Sequence, residues 1–439
     1  MRLNKSIISI LLILLVIVEG LCNTIFINYY DKENSSIVYL VLGLFISILP
    51  LIKVKATETI DISGKAYRVA LTLGMLGISF YLYKEAKPLF ANIPIDYRLA
   101  DMLPILKIMC ERFMQGEEVY AIIPQIWDGM QPIYLPALWM PLIPATYFDF
   151  DVRWTSVLLF VAGLVLIVNT RKGEKQKEEE GRRTLEGAKV EEVTSDFSLH
   201  NPLSSKVPFT SLLILVPIYI LVHDMIKFEG RFFAMTEESM VVFYYLLLAY
   251  AIAKEKTVLT GIALSLCMLS RYSLAIWAIM YVLYVFFFVK RSKAIAIGGI
   301  AGGLSIFLMV VSQGMGSLHV FLGLQENYIN AIINEKEKFE PMINISLGVA
   351  KFFVYENLAT LHQLFMVSAF LVPALSLLLF ARFKNKINTD FFALCSLKLT
   401  LVVFYNLLVM PFMYLFFTST LLSIAILNAY FSFNPTRSF

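Results

Sequence analysis

The hydrophobic character of this chain breaks off from about Lys84 to Arg153, between runs that each look able to enter a bilayer. That stretch reads IPIDYRLADMLPILKIMCERFMQGEEVY and then PIYLPALWMPLIPATYFDFDVRW, rich in acid, aromatic and proline. Membrane proteins usually join their helices by short loops. A long one, early in the chain and full of reactive side chains, is where working chemistry is expected.

The rest of the chain fixes the class. Of 439 residues 58% are hydrophobic and 16% are charged, and the mean hydropathy is +0.72. Such a composition implies an all-α polytopic membrane protein with lipid as its surroundings. A β-barrel is excluded because the apolar runs are continuous rather than alternating. The net charge of +4 carries no signal for nucleic acid. Cys22, Cys110, Cys267 and Cys395 lack metal spacing, and His200, His223, His319 and His362 are scattered. The N-terminal run resembles a signal peptide, but with no small-x-small cleavage site it reads as an uncleaved first span.

Twelve spans are expected, at 7–24, 37–52, 67–83, 154–169, 207–222, 236–253, 258–270, 273–289, 294–311, 361–381, 389–406 and 408–429. The segment Ile133–Phe148 is apolar enough to be a thirteenth, yet it carries Pro136, Pro141 and Pro144. Proline inside a helix removes a hydrogen bond and clashes with the preceding turn. Counting it as a span would also put the basic stretch 171–183 outside, so it is expected to lie on the outer face as an amphipathic or re-entrant piece. The cytoplasmic segments then hold 23 of the 37 Lys and Arg, in accord with the positive-inside rule. Both termini are expected inside, 84–153 and 312–360 outside, and 171–206 as a solvated cytoplasmic linker of mixed charge. The whole is read as one membrane domain with a core at 67–311.

Most acids of the first outer loop read as solvated. Asp101 differs, because it sits in a largely apolar run shortly after a span, where an acid is partly desolvated and suited to accept a proton. Asp96 is the runner-up. Arg271 marks the break between 258–270 and 273–289, a hairpin with basic flanks on both sides and hence an outward tip. An arginine there either binds an anion, snorkels to the interface or bridges to another helix. Lys227, Arg231 and His223, in HDMIKFEGRFF, are expected on the adjacent outer loop as further cations, with the acid Glu229 beside them. Lys398 falls inside an expected span, where a lysine is either functional or snorkels. Tyr134 and Trp139 are expected near the outer face, where the interfacial aromatic belt lies. Asp149-Phe150-Asp151 matches the short D-x-D metal pattern without the nucleotide-binding fold that gives the pattern meaning; Asp151 is expected to pair with Arg153 instead. No cofactor is called for beyond that divalent-cation alternative. The sequons at Asn34 and Asn344 fall in expected outer loops.

The stretch from Asp101 to Trp154 resembles the first outer loop of the glycosyltransferase C superfamily, and most of all the family 87 transferases that use polyprenol-phosphate-mannose. The features that carry this resemblance are Asp101, Gly116, Tyr120 and the segment Pro132-Ile-Tyr134-Leu-Pro136-Ala-Leu-Trp139-Met-Pro141. MTEESMVVFYYLLLAY (235–250) and LTGIALSLCMLSRYSLAIWA (259–278) also look like this group. The chain departs from the pattern in Glu118-Val119 and in having two spans ahead of the core. The resemblance implies a membrane enzyme, in the bacterial inner membrane, with its site on the extracytoplasmic side. It would transfer a mannose-like sugar from a polyprenyl phosphate to a glycan or glycolipid acceptor by one inverting displacement. Asp101 would be the base, and Arg271, Arg231, Lys227 and Lys398 would hold the departing phosphate. Glu229, His223, Tyr134 and Trp139 would line the substrate. The alternative is a transporter or lipid flippase without covalent chemistry, which should show paired broken helices in two repeats; one break, at Arg271, is apparent.

Overall fold

The structure is a computed structural model. It describes residues 3–24, 34–55, 61–126, 129–170, 206–227, 230–314, 316–318, 346–353, 355–410 and 414–431, with isolated positions at 322, 340, 343, 344 and 412. The described chain is mostly helical. The first helices are α1 (Lys5–Cys22), α2 (Asn34–Ile48), α3 (Gly64–Asn92) and α4 (Met102–Gln115). Two short pieces, α5 (Pro136–Trp139) and α6 (Ile143–Tyr147), precede α7 (Arg153–Asn169), α8 (Leu215–Lys227) and α9 (Gly230–Met235). Then come α10 (Glu238–Ala253), α11 (Thr257–Met268), α12 (Ala275–Phe288) and α13 (Arg291–Val311). The last three are α14 (Leu358–Phe383), α15 (Phe392–Leu407) and α16 (Leu415–Phe431).

Among the described residues, six helical stretches are long and apolar enough to cross a membrane: Lys5–Cys22, Asn34–Leu51, Phe209–Ile226, Arg291–Val311, Tyr355–Phe383 and Thr389–Leu407. Five shorter apolar helices, of 10–17 residues, accompany them. Eleven of the twelve expected spans overlap these stretches; the third, 67–83, falls on α3, which belongs to neither group and runs on to Asn92, past the expected end at 83, with Pro88 inside it. The segment expected as an outer loop therefore begins near residue 93 rather than 84. Ser63 caps α3, its hydroxyl accepting from the Ala66 amide at 3.1 Å.

Helix α16 is the axis of the bundle. All its residues are buried, and it packs against α1, α10 and α15. It is polar on the inside: Thr418, Ser419, Thr420, Ser423 and Asn428 are buried. Several of these groups bond across helices, as where Tyr67 donates to Asn428 Oδ1 at 2.8 Å, while the Ser423 hydroxyl bonds within α16. Close approach elsewhere rests on small residues, as between α11 and α13, where a Cβ on Gly261 would come within 2.8 Å of Ile300.

The bundle has two distinct ends. At one, strand β1 (Leu3–Asn4) pairs in parallel with β2 (Val54–Lys55), and β3 (Asp61–Ser63) pairs antiparallel with β4 (Lys206–Pro208). Lys53 also reaches the Asn385 carbonyl there, at 2.9 Å. At the other end lies the segment 93–152, folded as a roof. Arg153 ties its beginning and end together: the guanidinium donates to the Phe90 and Ile93 carbonyls at 2.9 and 2.6 Å, closing the C-terminus of α3, and binds Asp151. Gly116, at φ 74°, ends α4 in the left-handed conformation that favours glycine.

The segment Ile133–Phe148 does not form a span. It is broken into α5, a 3-10 turn at Met140–Leu142 and α6, and Pro136, Pro141 and Pro144 each stand in the first turn of one piece, where the missing N–H costs nothing. Trp139, Leu142 and Ala145 are buried against α4, while Tyr147 and Phe148 are exposed.

Candidate functional site

The candidate site lies beneath the roof, where α10 begins and α11 ends. The sequence forces a break here. Helix α11 stops at Met268, and the chain turns through Ser270 and Arg271 before α12 starts. Arg271 thereby projects its guanidinium toward the first turn of α10. Its Nη2 donates to Glu238 Oε2 and lies 3.9 Å from Glu237 Oε1. Both glutamates are wholly buried, whereas the arginine side chain is 18% exposed. Glu238 stands in the first helical turn, where the helix dipole favours a carboxylate, and its second oxygen accepts from the Thr418 hydroxyl at 3.3 Å. Arg271 thus makes an inter-helical bridge, one of the three roles open to it in the sequence, through one of its nitrogens.

Two features of this cluster stand out energetically. Both oxygens of Glu237 lack a hydrogen-bond donor among the described residues, and so does the Nε of Arg271 an acceptor. A buried polar group left in that state costs about 1–3 kcal/mol, and more if charged. The cluster is also rich in carboxylates. Asp101, Glu238 and Arg271 are the charges that act on Glu237, so with Glu237 itself the cluster holds three acids against one cation.

Asp101 comes from the roof. It sits at the N-cap of α4, its carbonyl accepting from the Ile105 amide at 3.0 Å, and it is half-buried. Tyr134 shows how close the parts are. Burial pushes its hydroxyl well above the usual phenol range; Asp101 and Glu237 push it further, with Tyr414, while Arg271 opposes them. The expected base and the expected phosphate ligand, far apart in sequence, therefore act on the same side chain.

The roof is fixed to the bundle by defined bonds. The Ala137 amide donates to the Leu269 carbonyl at 3.2 Å, and Tyr244 donates to the Ala137 carbonyl at 2.9 Å, just beside Arg271. Tyr120 is a second node: it donates to the Tyr134 carbonyl at 3.3 Å and receives from Trp139 and Ser317. Burial raises its hydroxyl above the usual range, so it stays protonated and keeps donating. Gly316 passes so close to Tyr120 that a Cβ would meet its ring at 2.8 Å. The Val119 amide donates to Gln313 Oε1 at 2.5 Å, linking the roof to the segment after α13.

The other expected residues fall elsewhere or play other parts. Asp96 is paired with Arg98, at 3.0 Å from Nε and 2.5 Å from Nη2. Those hydrogen bonds hold its carboxyl below the usual range, which makes it a poor proton acceptor. Trp139 is fully buried, packed beside Phe113 with ring centroids 5.3 Å apart, so it supports the roof and has no open face for a sugar. Tyr134 is likewise buried, not a surface platform. His223 and Lys227 lie in helix α8 rather than on a loop; His223 bonds the Tyr81 hydroxyl at 2.9 Å and stacks on Tyr81 and Tyr219. Arg231 lies in α9, and Glu229 is outside the described residues. Asp151 is bound to Arg153 as expected, and Asp149 is exposed at φ 53°. No group of three or more metal-ligating side chains occurs among the described residues.

Lys398 does not snorkel. It is fully buried, donates to the carboxylate of Glu19, itself fully buried, and donates to the Ser419 carbonyl and hydroxyl at 2.9 and 2.7 Å. All three ammonium protons are taken up. Thr418 and Ser419 are consecutive on α16, so one helix touches both buried ion pairs.

Sequence reasoning passed over Glu237, Glu238 and Glu19. The signal was present, since an acid inside an apolar run marks either a site or a buried partner. Adjacent Glu237-Glu238 at the head of such a run was the clearer of the two.

No family model matches the chain, and neither a curated protein nor a solved structure matches it.

Proposed function

We propose that this chain is an integral membrane glycosyltransferase that moves a mannose-like sugar from a polyprenyl phosphate to a glycan or glycolipid acceptor on the extracytoplasmic side. The observation that carries the reading is the Arg271 guanidinium, bound to Glu238 beneath the roof with its Nε–H left without an acceptor among the described residues; Asp101 is near enough to act electrostatically on the same Tyr134 hydroxyl as Arg271. In the reaction, the acceptor hydroxyl gives its proton to the Asp101 carboxylate. Its oxygen attacks the anomeric carbon, the bond from that carbon to the phosphate oxygen breaks, and polyprenyl phosphate leaves with inverted configuration at the sugar. The Arg271 Nε–H, buried and without an acceptor among the described residues, is the donor that a phosphate oxygen would take up, with Glu238 holding the guanidinium in place. The twelve-span topology with both termini inside belongs to this proposal. It is supported by the gathering of the residues expected to be cytoplasmic, from Leu3, Val54, Ser63 and Lys206, at the end of the bundle opposite the roof. A bacterial inner membrane is the setting in which such donors are presented.

The test is incubation of the purified full-length protein with a panel of labelled polyprenyl-phosphate sugars and membrane glycan extracts. Release of polyprenyl phosphate that depends on Asp101 supports the reading. No turnover of any donor, in protein that is folded by thermal melting, overturns it.

A second reading has its own observation. The pairs Arg271–Glu238 and Lys398–Glu19 are both buried and are joined through adjacent residues of α16. Chains of buried ionisable groups between membrane helices are the usual material of ion or proton pathways. In this reading the chain is a transporter or flippase. Proton uptake into proteoliposomes, abolished by Glu238→Gln with no sugar donor present, would favour it over the enzyme.

A further inference from the structure

A cavity of about 460 Å³ opens at the end of the bundle away from the roof, between α12, α13, α14 and α15. Its inner wall is aromatic. Tyr284 meets Phe380 edge-on at 5.0 Å, and Phe288 meets the same ring at 5.1 Å. Its rim is polar and carries Lys293 and Lys384. A cavity with an aromatic floor and an ammonium rim suits a molecule that is apolar at one end and anionic at the other.

The charge around the mouth decides the sign. Lys290, Arg291 and Lys293 stand at the start of α13, and Arg382, Lys384 and Lys386 at the end of α14. Against these six stand Glu255 and Asp390 on the rim. Glu255 is already engaged by Lys293 at 3.6 Å, and its side chain is largely exposed. Several of the cations lie over aromatic rings: Lys384 at 5.3 Å from the Phe288 centroid and Arg291 at 5.4 Å from that of Phe286. That posture, stem and charge against an aromatic face, is the one long basic side chains take at the level of lipid headgroups.

The surroundings say what the apolar end is. Phe287 on α12, Val289 just past its end, Ile295 on α13 and Leu379 on α14 are all more than half exposed beside the mouth. Helices of this composition turn such faces to acyl chains. A basic pocket between membrane helices on the side rich in Lys and Arg is a recurrent seat for anionic lipid headgroups.

We infer that this cavity is a binding site for an anionic phospholipid, whose phosphodiester lies between Lys293 and Lys384 and whose acyl chains run along α12 and α14. The site stands apart from the Arg271 cluster and does not depend on the reaction proposed there. Occupancy would tie α13 to α14, the helices that flank the long segment 312–357.

The test uses the full chain, purified in mild detergent and stripped of lipid. Dioleoyl-phosphatidylglycerol, dioleoyl-phosphatidylcholine and sodium phosphate are titrated separately, with the thermal unfolding midpoint and native mass spectra as readouts. Phosphatidylglycerol should stabilise the protein and be retained in the spectra, at concentrations at least about tenfold lower than phosphatidylcholine requires. Lys293→Ala with Lys384→Ala should weaken that effect about 30-fold, as expected for two interfacial lysines, and Lys65→Ala at the same end should leave it unchanged. Lys384→Glu, at an exposed position, gives the same reading should the double variant fail to fold. Equal effects of the two lipids, an effect that survives Lys384→Glu, or a match by inorganic phosphate alone would each overturn the assignment.

Discussion

Replacing Lys398 by Met probes the buried pair in the bundle axis. The change keeps the length of the side chain and removes its charge, so the Glu19 carboxylate is left fully buried without a cation, and the Ser419 carbonyl and hydroxyl each lose one donor, the carbonyl keeping the Ser423 hydroxyl. Breaking such a pair from one side costs about 3–5 kcal/mol, because the remaining charge is stranded in a medium that solvates it poorly. Glu19→Gln strands the ammonium instead and should cost about as much, less what the two Ser419 acceptors recover. Removing both charges removes the penalty, so Glu19→Gln with Lys398→Met should lie within about 2 kcal/mol of the parent. For a chain of 439 residues each kcal/mol moves the unfolding midpoint by about 1 °C, so each single variant should melt about 3–5 °C low and the double variant near normal. The assay is thermal unfolding of all four proteins in one detergent, at one scan rate. A double variant that loses the sum of the singles, or a Lys398→Met protein within 1 °C of the parent, would refute the claim that the two charges hold each other.

Asp101→Asn keeps the size of the side chain and removes its basicity, and transfer should fall by about 10²–10⁴-fold while the melting point is held. Asp96→Asn should leave turnover near normal, since that carboxylate is bound to Arg98 at the surface; if the two variants exchange behaviour in a donor-release assay, the base is misassigned. Arg271→Lys retains the charge but not the planar fork, so donor affinity should drop in a titration with labelled donor, more so for Arg271→Ala, with acceptor affinity little changed. Arg153→Ala removes the donors to Phe90 and Ile93 and should lower stability by about 2–4 kcal/mol, with earlier proteolysis of the segment 93–152; unchanged protease resistance would show that the roof is held by other contacts. Cysteines placed near Glu118 and Gly173 should label from opposite sides of a vesicle, and labelling from one side would overturn the proposed topology.

Much of the architecture was legible because the bilayer is a demanding solvent. Continuous apolar runs separated by basic turns leave few arrangements open, and the helices fall where the runs lie. The roof over one end, the failure of Ile133–Phe148 to span, and the Asp151–Arg153 pair also followed from local rules, since proline chemistry and neighbouring opposite charges act over a few residues. The end of α3 did not follow, because Lys84, Glu85 and Lys87 looked like loop while the helix carries them onward to Asn92. Nor did the burial of Trp139: an aromatic near an outer loop reads the same from sequence whether it faces a ligand or plugs the loop from beneath.

The sequence by itself determined the class of the chain, the order of its helices and the identity of its costly residues, because hydropathy and charge are properties of a residue and its near neighbours. Only the tertiary structure decided what those residues do for one another. Lys398 met Glu19 from the far end of the chain, Arg271 met Glu237 and Glu238, and Asp101 came down from the roof to join them. Partnership among buried charges depends on which helices pack side by side and at what depth, and no local pattern records that.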